Sequence, residues 1–337
     1  ANLIISNASL VSGNWVTVGR GNGSIGNLST LTLANGGITT TANGFSMGYD
    51  GSLPGNLARQ ITTLNGNSFL NLAGNANIGE SAGSFGTLYL NDNSWLKCAT
   101  PRLGLNAGAT GAVYIASSAA YTNTGYMSIG TGGGANGPGS GGVGLLVVKD
   151  NGTVNSTGDF NVTDLAGSIG ELDVSNNATV LVNGSMYIGK AADTMATVNQ
   201  AGGNFLKTGG GDFLIGGNAT AAFSSVGVWN LSGGYLSING NFQPGAYGTG
   251  TFNQSGGTAV DGAYVSIGRY AGSVGTMNVS GGVFSQTNTG TLLIVGEQGS
   301  GTLNVSGVGQ VNAARLCIGN GPAANGTVNL NGGTIST

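Results

Sequence analysis

One phrase recurs along the whole chain. Gly301-Thr302-Leu303-Asn304-Val305-Ser306-Gly307 leads through Val311 and Ala313 to Leu316-Cys317-Ile318-Gly319, and Gly275-Thr276-Met277-Asn278-Val279-Ser280-Gly281-Gly282 leads to Leu293-Ile294-Val295-Gly296. A third copy runs from Glu171-Leu172-Asp173-Val174 to Met186-Tyr187-Ile188-Gly189. The closing apolar-Gly landmark falls at Gly19, Gly48, Gly79, Gly104, Gly130, Gly189, Gly216, Gly268, Gly296 and Gly319, with degenerate copies at Phe160-Asn161-Val162-Thr163 and Phe242-Gln243-Pro244-Gly245. The mean step is about 27 residues, and the excess in longer steps sits in Gly/Ser/Asn stretches such as 131–137. A period of this size means stacked windings around one long core, not a globule. Twelve copies and the start of a thirteenth, Thr327 to Gly333, account for nearly every residue.

Each copy holds three short strand candidates separated by Gly-rich turns. In the first, two apolar residues flank a central one, as in Leu3/Ile5, Leu88/Leu90, Leu303/Val305 and Val328/Leu330. Strand alternation sends the flanking pair inward and the central residue outward. The third reads alike: Val16/Val18, Met127/Ile129, Met186/Ile188, Val265/Ile267 and Leu316/Ile318 are expected inside, and Thr17, Ser128, Tyr187, Ser266 and Cys317 outside. Helix is disfavoured by the abundance of Gly, Asn, Ser, Thr and β-branched residues. The expected fold is all-β: a right-handed parallel β-helix, or β-solenoid, of about 12 coils with three short strands each, forming a single domain over residues 1–337. Windings stacked at the strand spacing of roughly 4.8 Å make a rod on the order of 60 Å long.

Composition narrows the function. Of 337 residues 68 are Gly, 9 are Lys or Arg and 12 are Asp or Glu, and there is no His. With a net charge of −3 and scattered cations, the chain is not expected to bind nucleic acid. The lack of His excludes His-based acid–base catalysis and His metal ligation. The 39% hydrophobic content, periodically placed, argues against a disordered linker. The longest aliphatic run, Leu145-Leu146-Val147-Val148, is far too short for a membrane span. No basic stretch followed by an apolar one opens the chain, so Ala1 is not expected to begin a signal peptide. Cys98 and Cys317 occupy different repeat positions and are read as isolated thiols.

Some residues invite a chemical reading. The centre of the first strand is Asn199, Asn230, Asn253, Asn278, Asn304 and Asn329 in six consecutive copies, and stacked amides at strand spacing form hydrogen-bonded ladders. A structural seam is expected, with a flat face for glycan, ice or a neighbouring filament as the alternative. Thr32, Thr63, Tyr89, Tyr114 and Val147 break the column earlier, and Tyr89 with Tyr114 forms a candidate sugar or protein platform. Asp150, Asp159, Asp164, Glu171 and Asp173, near Lys149 and Lys190, are the best carboxylate cluster for a polysaccharide-cleaving enzyme, against a reading as ordinary solvated charge. Asp164/Lys190 and Arg269/Glu297 are expected to pair between coils as stacking aids. Gly21-Asn22-Gly23-Ser24-Ile25-Gly26 matches a dinucleotide fingerprint but precedes no helix, and residues 209–215 show one weak copy of a calcium-binding repeat. No catalytic residue, cofactor or metal is expected.

The phrases at 275–282 and 301–308, with their closing Ile-Gly, resemble the Gly-rich repeats of bacterial secreted β-solenoid proteins, of the kind found in autotransporter passenger domains and PEP-CTERM-type exported proteins. The resemblance covers nearly the whole chain and implies export to the bacterial cell surface, with adhesion, matrix or filament roles. It carries over no catalytic residue. The chain opens on core-type residues, Leu3 and Ile5, and closes on Val328, Leu330 and Ile335, with no capping helix, charged cap or Pro at either side. The resulting expectation is a structural subunit of an extracellular filament, sheath or matrix that assembles head to tail with copies of itself. The alternatives are an adhesin-like rod that binds surface glycan or a host surface and, ranked lower, a polysaccharide-cleaving enzyme.

Overall fold

The computed structural model describes residues 1–20, 28–49, 59–134, 139–219 and 222–337. Strands recur in threes, as in Thr249–Gln254, Thr258–Asp261 and Val265–Ile267, and each pairs in parallel with its equivalent in the next winding. The first and second strands make up a 24-stranded sheet and the third strands a 12-stranded sheet. This is a parallel β-solenoid of about twelve turns, with no α-helix among the described residues. The uninterrupted step is 25 residues from Leu88 to Val113 and 26 from Met277 to Leu303. Loop insertions lift the mean above that.

The sequence dictates the core directly. In Thr249–Gln254 buried and half-buried residues alternate, so Gly250, Phe252 and Gln254 face in and Thr251 and Asn253 face out. Register stacks equivalent residues: Leu88 on Val113 on Leu146 on Leu172 on Val198 on Trp229 on Phe252 on Met277 on Leu303. All nine are fully buried, in one cluster that runs from Val18 to Ala313. Leu3 heads this column and Val328 closes it.

The landmark glycines turn the chain after the third strand. Gly79 has φ +69° and Gly104 φ +64°, a region that L side chains rarely adopt. A Cβ on Gly79 would sit 1.9 Å from the Thr110 carbonyl oxygen, so conformation and crowding both demand Gly there.

Two features differ from the sequence reading. The centre of the third strand is not an open outer face: Ser128 and Ser266 are buried, Tyr187 and Cys317 half-buried, and only Thr17 of that set is exposed. The segment after the landmark folds back over this face. Thr131 Oγ1 donates to Ser128 Oγ at 3.0 Å, and the Glu297 carboxylate accepts from Ser266 Oγ at 2.7 Å. Second, the corner between the first two strands flattens at the C-terminal end, where Ser300–Ala313 and Asn325–Ser336 run as single strands with a register shift between Gly307 and Gln310.

Candidate functional site

The outward centre of the first strand is the most regular side-chain array in the rod. Its order is Ile4, Thr32, Thr63, Tyr89, Tyr114, Val147, Asp173, then Asn199, Asn230, Asn253, Asn278, Asn304 and Asn329. The six amides form a one-directional ladder in which each Nδ2 donates to Oδ1 of the preceding winding. The distances are 2.9 Å from Asn230 to Asn199, 2.9 Å from Asn253 to Asn230, 2.7 Å from Asn278 to Asn253, 2.7 Å from Asn304 to Asn278 and 2.8 Å from Asn329 to Asn304. The foot is ionic: Asn199 Nδ2 donates to Asp173 Oδ1 at 2.9 Å and to Glu171 Oε1 at 3.0 Å. Aligned amide dipoles present their positive end to these carboxylates, which strengthens the first bond. Partial burial, then the neighbouring Asp173 charge, pushes the Glu171 carboxyl up, while the Asn199 bond acts against the rise.

The terminal windings carry the residues singled out as assembly ends. Leu3 is 50% exposed and Leu330 53%, whereas their column neighbours Leu31 and Val305 are buried. Ile5, Val328 and Ile335 are partly buried against the core cluster.

A third array escaped the sequence reading. The last residue of the second strand faces in and bonds the corner ahead of it: Asn123 Nδ2 donates to the Gly125 carbonyl at 2.6 Å and Gln286 Nε2 to Asn288 at 2.8 Å, and Thr40 donates to Asn43. Lys207 holds the same station, donating from Nζ to the Gly209 and, at 2.8 Å, Asn239 carbonyls. Asp261 inverts the polarity, its Oδ2 accepting from the Ala263 N–H at 3.0 Å while Oδ1 finds no partner among the described residues. Desolvation lowers the Lys207 ammonium to about 8, against the pull of Asp212, Asp159 and Asp261. Burial raises the Asp261 carboxyl to about 8, opposed by the Ala263 N–H and Lys207. The signal was legible, because polar residues recur here at the repeat period in an inward position.

The acidic cluster mostly disperses. Asp150 accepts from Asn176 at 2.8 Å in the turn after the first strand, Asp159 accepts from the Ser185 N–H at 2.8 Å before the third, and Asp164 pairs with Lys190 at 2.6 Å after it. Only Glu171 and Asp173 come together, through Asn199. The expected Arg269/Glu297 pair does not form. Glu297 accepts from Tyr264 and Ser266 instead, and the Arg269 guanidinium lies 5.5 Å and 5.0 Å from the ring centroids of Tyr264 and Tyr270. Tyr89 and Tyr114 do stack, with centroids 5.0 Å apart and planes at 17°. Asp212 of the calcium-like segment accepts from Asn241 Nδ2 at 2.8 Å, and no group of three or more metal-ligating side chains converges among the described residues. Residues 21–26, the dinucleotide match, lie outside the described residues. Both cysteines are free thiols, and burial pushes Cys98 up to about 12. No described helix is long and apolar enough to cross a membrane.

Fold and arrays together define the class, a parallel β-solenoid with side-chain ladders along its axis. Comparison of the chain with protein-family models, curated proteins and solved structures gives no match.

Proposed function

We propose that this chain is a structural subunit of an extracellular filament, sheath or matrix, in which windings of successive copies stack head to tail. The observation that carries the reading is the register that runs unbroken from winding to winding along the rod. Leu3 and Val328 stand in one core column and Ile5 and Leu330 in a second, so each winding offers its neighbour the same apolar columns and parallel strand edges. A winding of a second copy set one strand spacing further on would continue both columns. Such a contact is heterologous and does not close, so it propagates as a fibre. Low charge opposes axial association only weakly. The Asn ladder supports the same reading, because it ties winding to winding along the direction of load.

Electron microscopy and sedimentation of the purified chain test this. Filaments that lengthen with concentration, and that Leu3→Asp or Leu330→Asp shortens, are the expected result. Monodisperse short rods at high concentration overturn it. A second reading, an adhesin-like rod that binds glycan or a host surface, is favoured by the half-buried, outward Tyr89–Tyr114 stack. The carboxylates at 150, 159 and 164 stand at separate stations of the winding and lend the polysaccharide-cleaving reading no support.

A further inference from the structure

The covered third-strand face opens at its N-terminal end into a cleft of about 510 Å³, lined by Asn14, Trp15, Arg20, Ser46, Tyr49 and Glu80. Its volume is within the range of small-molecule sites. These residues come from three successive windings, and no sequence motif joins them. Trp15 is 40% exposed and Tyr49 38%, in a protein whose large side chains otherwise mostly fill the core.

The polar groups are held in place. Glu80 Oε2 accepts from Ser46 Oγ and, at 3.1 Å, from Asn77 Nδ2, which leaves Oε1 without a partner among the described residues. Asn14 Oδ1 accepts from the Trp15 N–H at 2.8 Å and from Asn43 Nδ2 at 2.8 Å, which orients the amide and leaves its Nδ2 donors free among the described residues. The Arg20 guanidinium lies 5.5 Å from the centroid of the Tyr49 ring. The cleft therefore offers a fixed acceptor, a fixed amide donor, a planar cation and two exposed aromatic rings.

We propose that this cleft binds a neutral glycan, with a pyranose ring against Trp15 or Tyr49 and its hydroxyls bonded to Glu80, Asn14 and Arg20. The chemistry of the lining selects the class. An anionic ligand would meet the Glu80 carboxylate and a cationic one the Arg20 guanidinium, whereas the two charges together sum to zero. A purely apolar ligand would strip water from Glu80 and Arg20 and return no hydrogen bond. A sugar has both parts: hydroxyls that donate and accept side by side, and C–H faces that pack on the amphipathic rings. The site lies apart from the Tyr89–Tyr114 stack.

The test is calorimetry with saturation-transfer NMR on the full chain, using the hexaoses of cellulose, amylose, laminarin and β-mannan as probes and oligogalacturonate as the anionic control. Saturable binding of at least one neutral hexaose is expected. Trp15→Ala and Glu80→Gln should each weaken it about tenfold or more, the scale of a central aromatic or charged contact. Arg20→Gln, a change at an exposed side chain, carries the test should either variant fail to fold. Absence of binding to every neutral probe, binding indifferent to all three substitutions, or preference for oligogalacturonate overturns the proposal. Filament formation is read separately by microscopy, so failure of one reading leaves the other standing.

Discussion

The two halves of the rod solve the same packing problem differently. Up to about winding six the core columns are mostly aliphatic, with Leu31, Leu33, Leu64, Leu88, Leu90, Val113 and Ile115 among them, and the outward column is irregular. Beyond it the core is aromatic. Phe205 meets Trp229 edge to face at 4.8 Å, Phe213 meets Phe242 at 5.4 Å and Phe242 meets Phe252 at 5.2 Å. The same half buries Gln200, Lys207, Gln254 and Asp261, and leaves Trp229 Nε1 unpartnered among the described residues. Outside, it carries the uninterrupted Asn ladder. Buried polar groups occur in both halves, Gln60, Asn123 and Asn161 among them, but the buried charged side chains Lys207 and Asp261 and the stronger external seam belong to the C-terminal half. In a solenoid, where stability is approximately a sum over neighbours, each half answers for its own windings.

Trp229→Ala should produce the largest effect, about 3–5 kcal/mol from lost burial plus cavity. Hydrogen exchange should place the loss in the windings around Trp229 and leave those around Leu88 protected; uniform loss of protection would dissolve the distinction between halves. The two buried charged groups at the second corner come next. Asp261 stays protonated up to about 8 in the fold but ionises near 3.8 when unfolded, so its contribution is present below 3.8 and is lost as pH rises towards 8. Lys207 titrates at about 8 folded and 10.5 unfolded, so its contribution is present above 10.5 and is lost as pH falls towards 8. Melting temperature against pH should therefore show a dip near 8 from these two groups, and Asp261→Asn should flatten its acid side. A curve that Asp261→Asn does not change would contradict the assignment.

Asn278→Ala removes two rungs of the ladder and should cost about 1–3 kcal/mol by denaturant titration, since each net hydrogen bond contributes about 0.5–1.5 kcal/mol. An equal loss on Thr63→Ala, in the irregular half of the same column, would show that ladder bonds add nothing special. The smallest effect belongs to the N-terminal half: Tyr89→Ala forfeits a stacked pair and should cost about 1 kcal/mol. A double-mutant cycle with Tyr114→Ala isolates that coupling.

The ladder and the winding were readable from residues alone because both follow from period. Asn at one outward station in six copies places six amides at strand spacing, and no packing detail can separate them. The Tyr89–Tyr114 stack follows for the same reason. The third-strand face misled because its alternation is that of an open face. Ser128 and Ser266 are covered by Thr131 and Glu297, whose folding back depends on turn geometry that varies between copies. The Arg269/Glu297 pairing failed similarly: proximity was right, but Tyr264 and Ser266 supply donors to Glu297, and two aromatic rings take the guanidinium.

What the amino-acid sequence settled by itself was everything periodic: the strand–turn–strand winding, the inward columns, the glycine after each third strand and the direction in which side chains stack. A repeat enforces these locally, since each winding meets only its neighbours. The tertiary structure alone decided what lies between stations: the shielding of the third face, and the meeting of Trp15, Arg20, Tyr49 and Glu80 across three windings. Those contacts arise where loops of unequal length fold over a regular scaffold, and loop length, unlike strand register, has no period from which to read it.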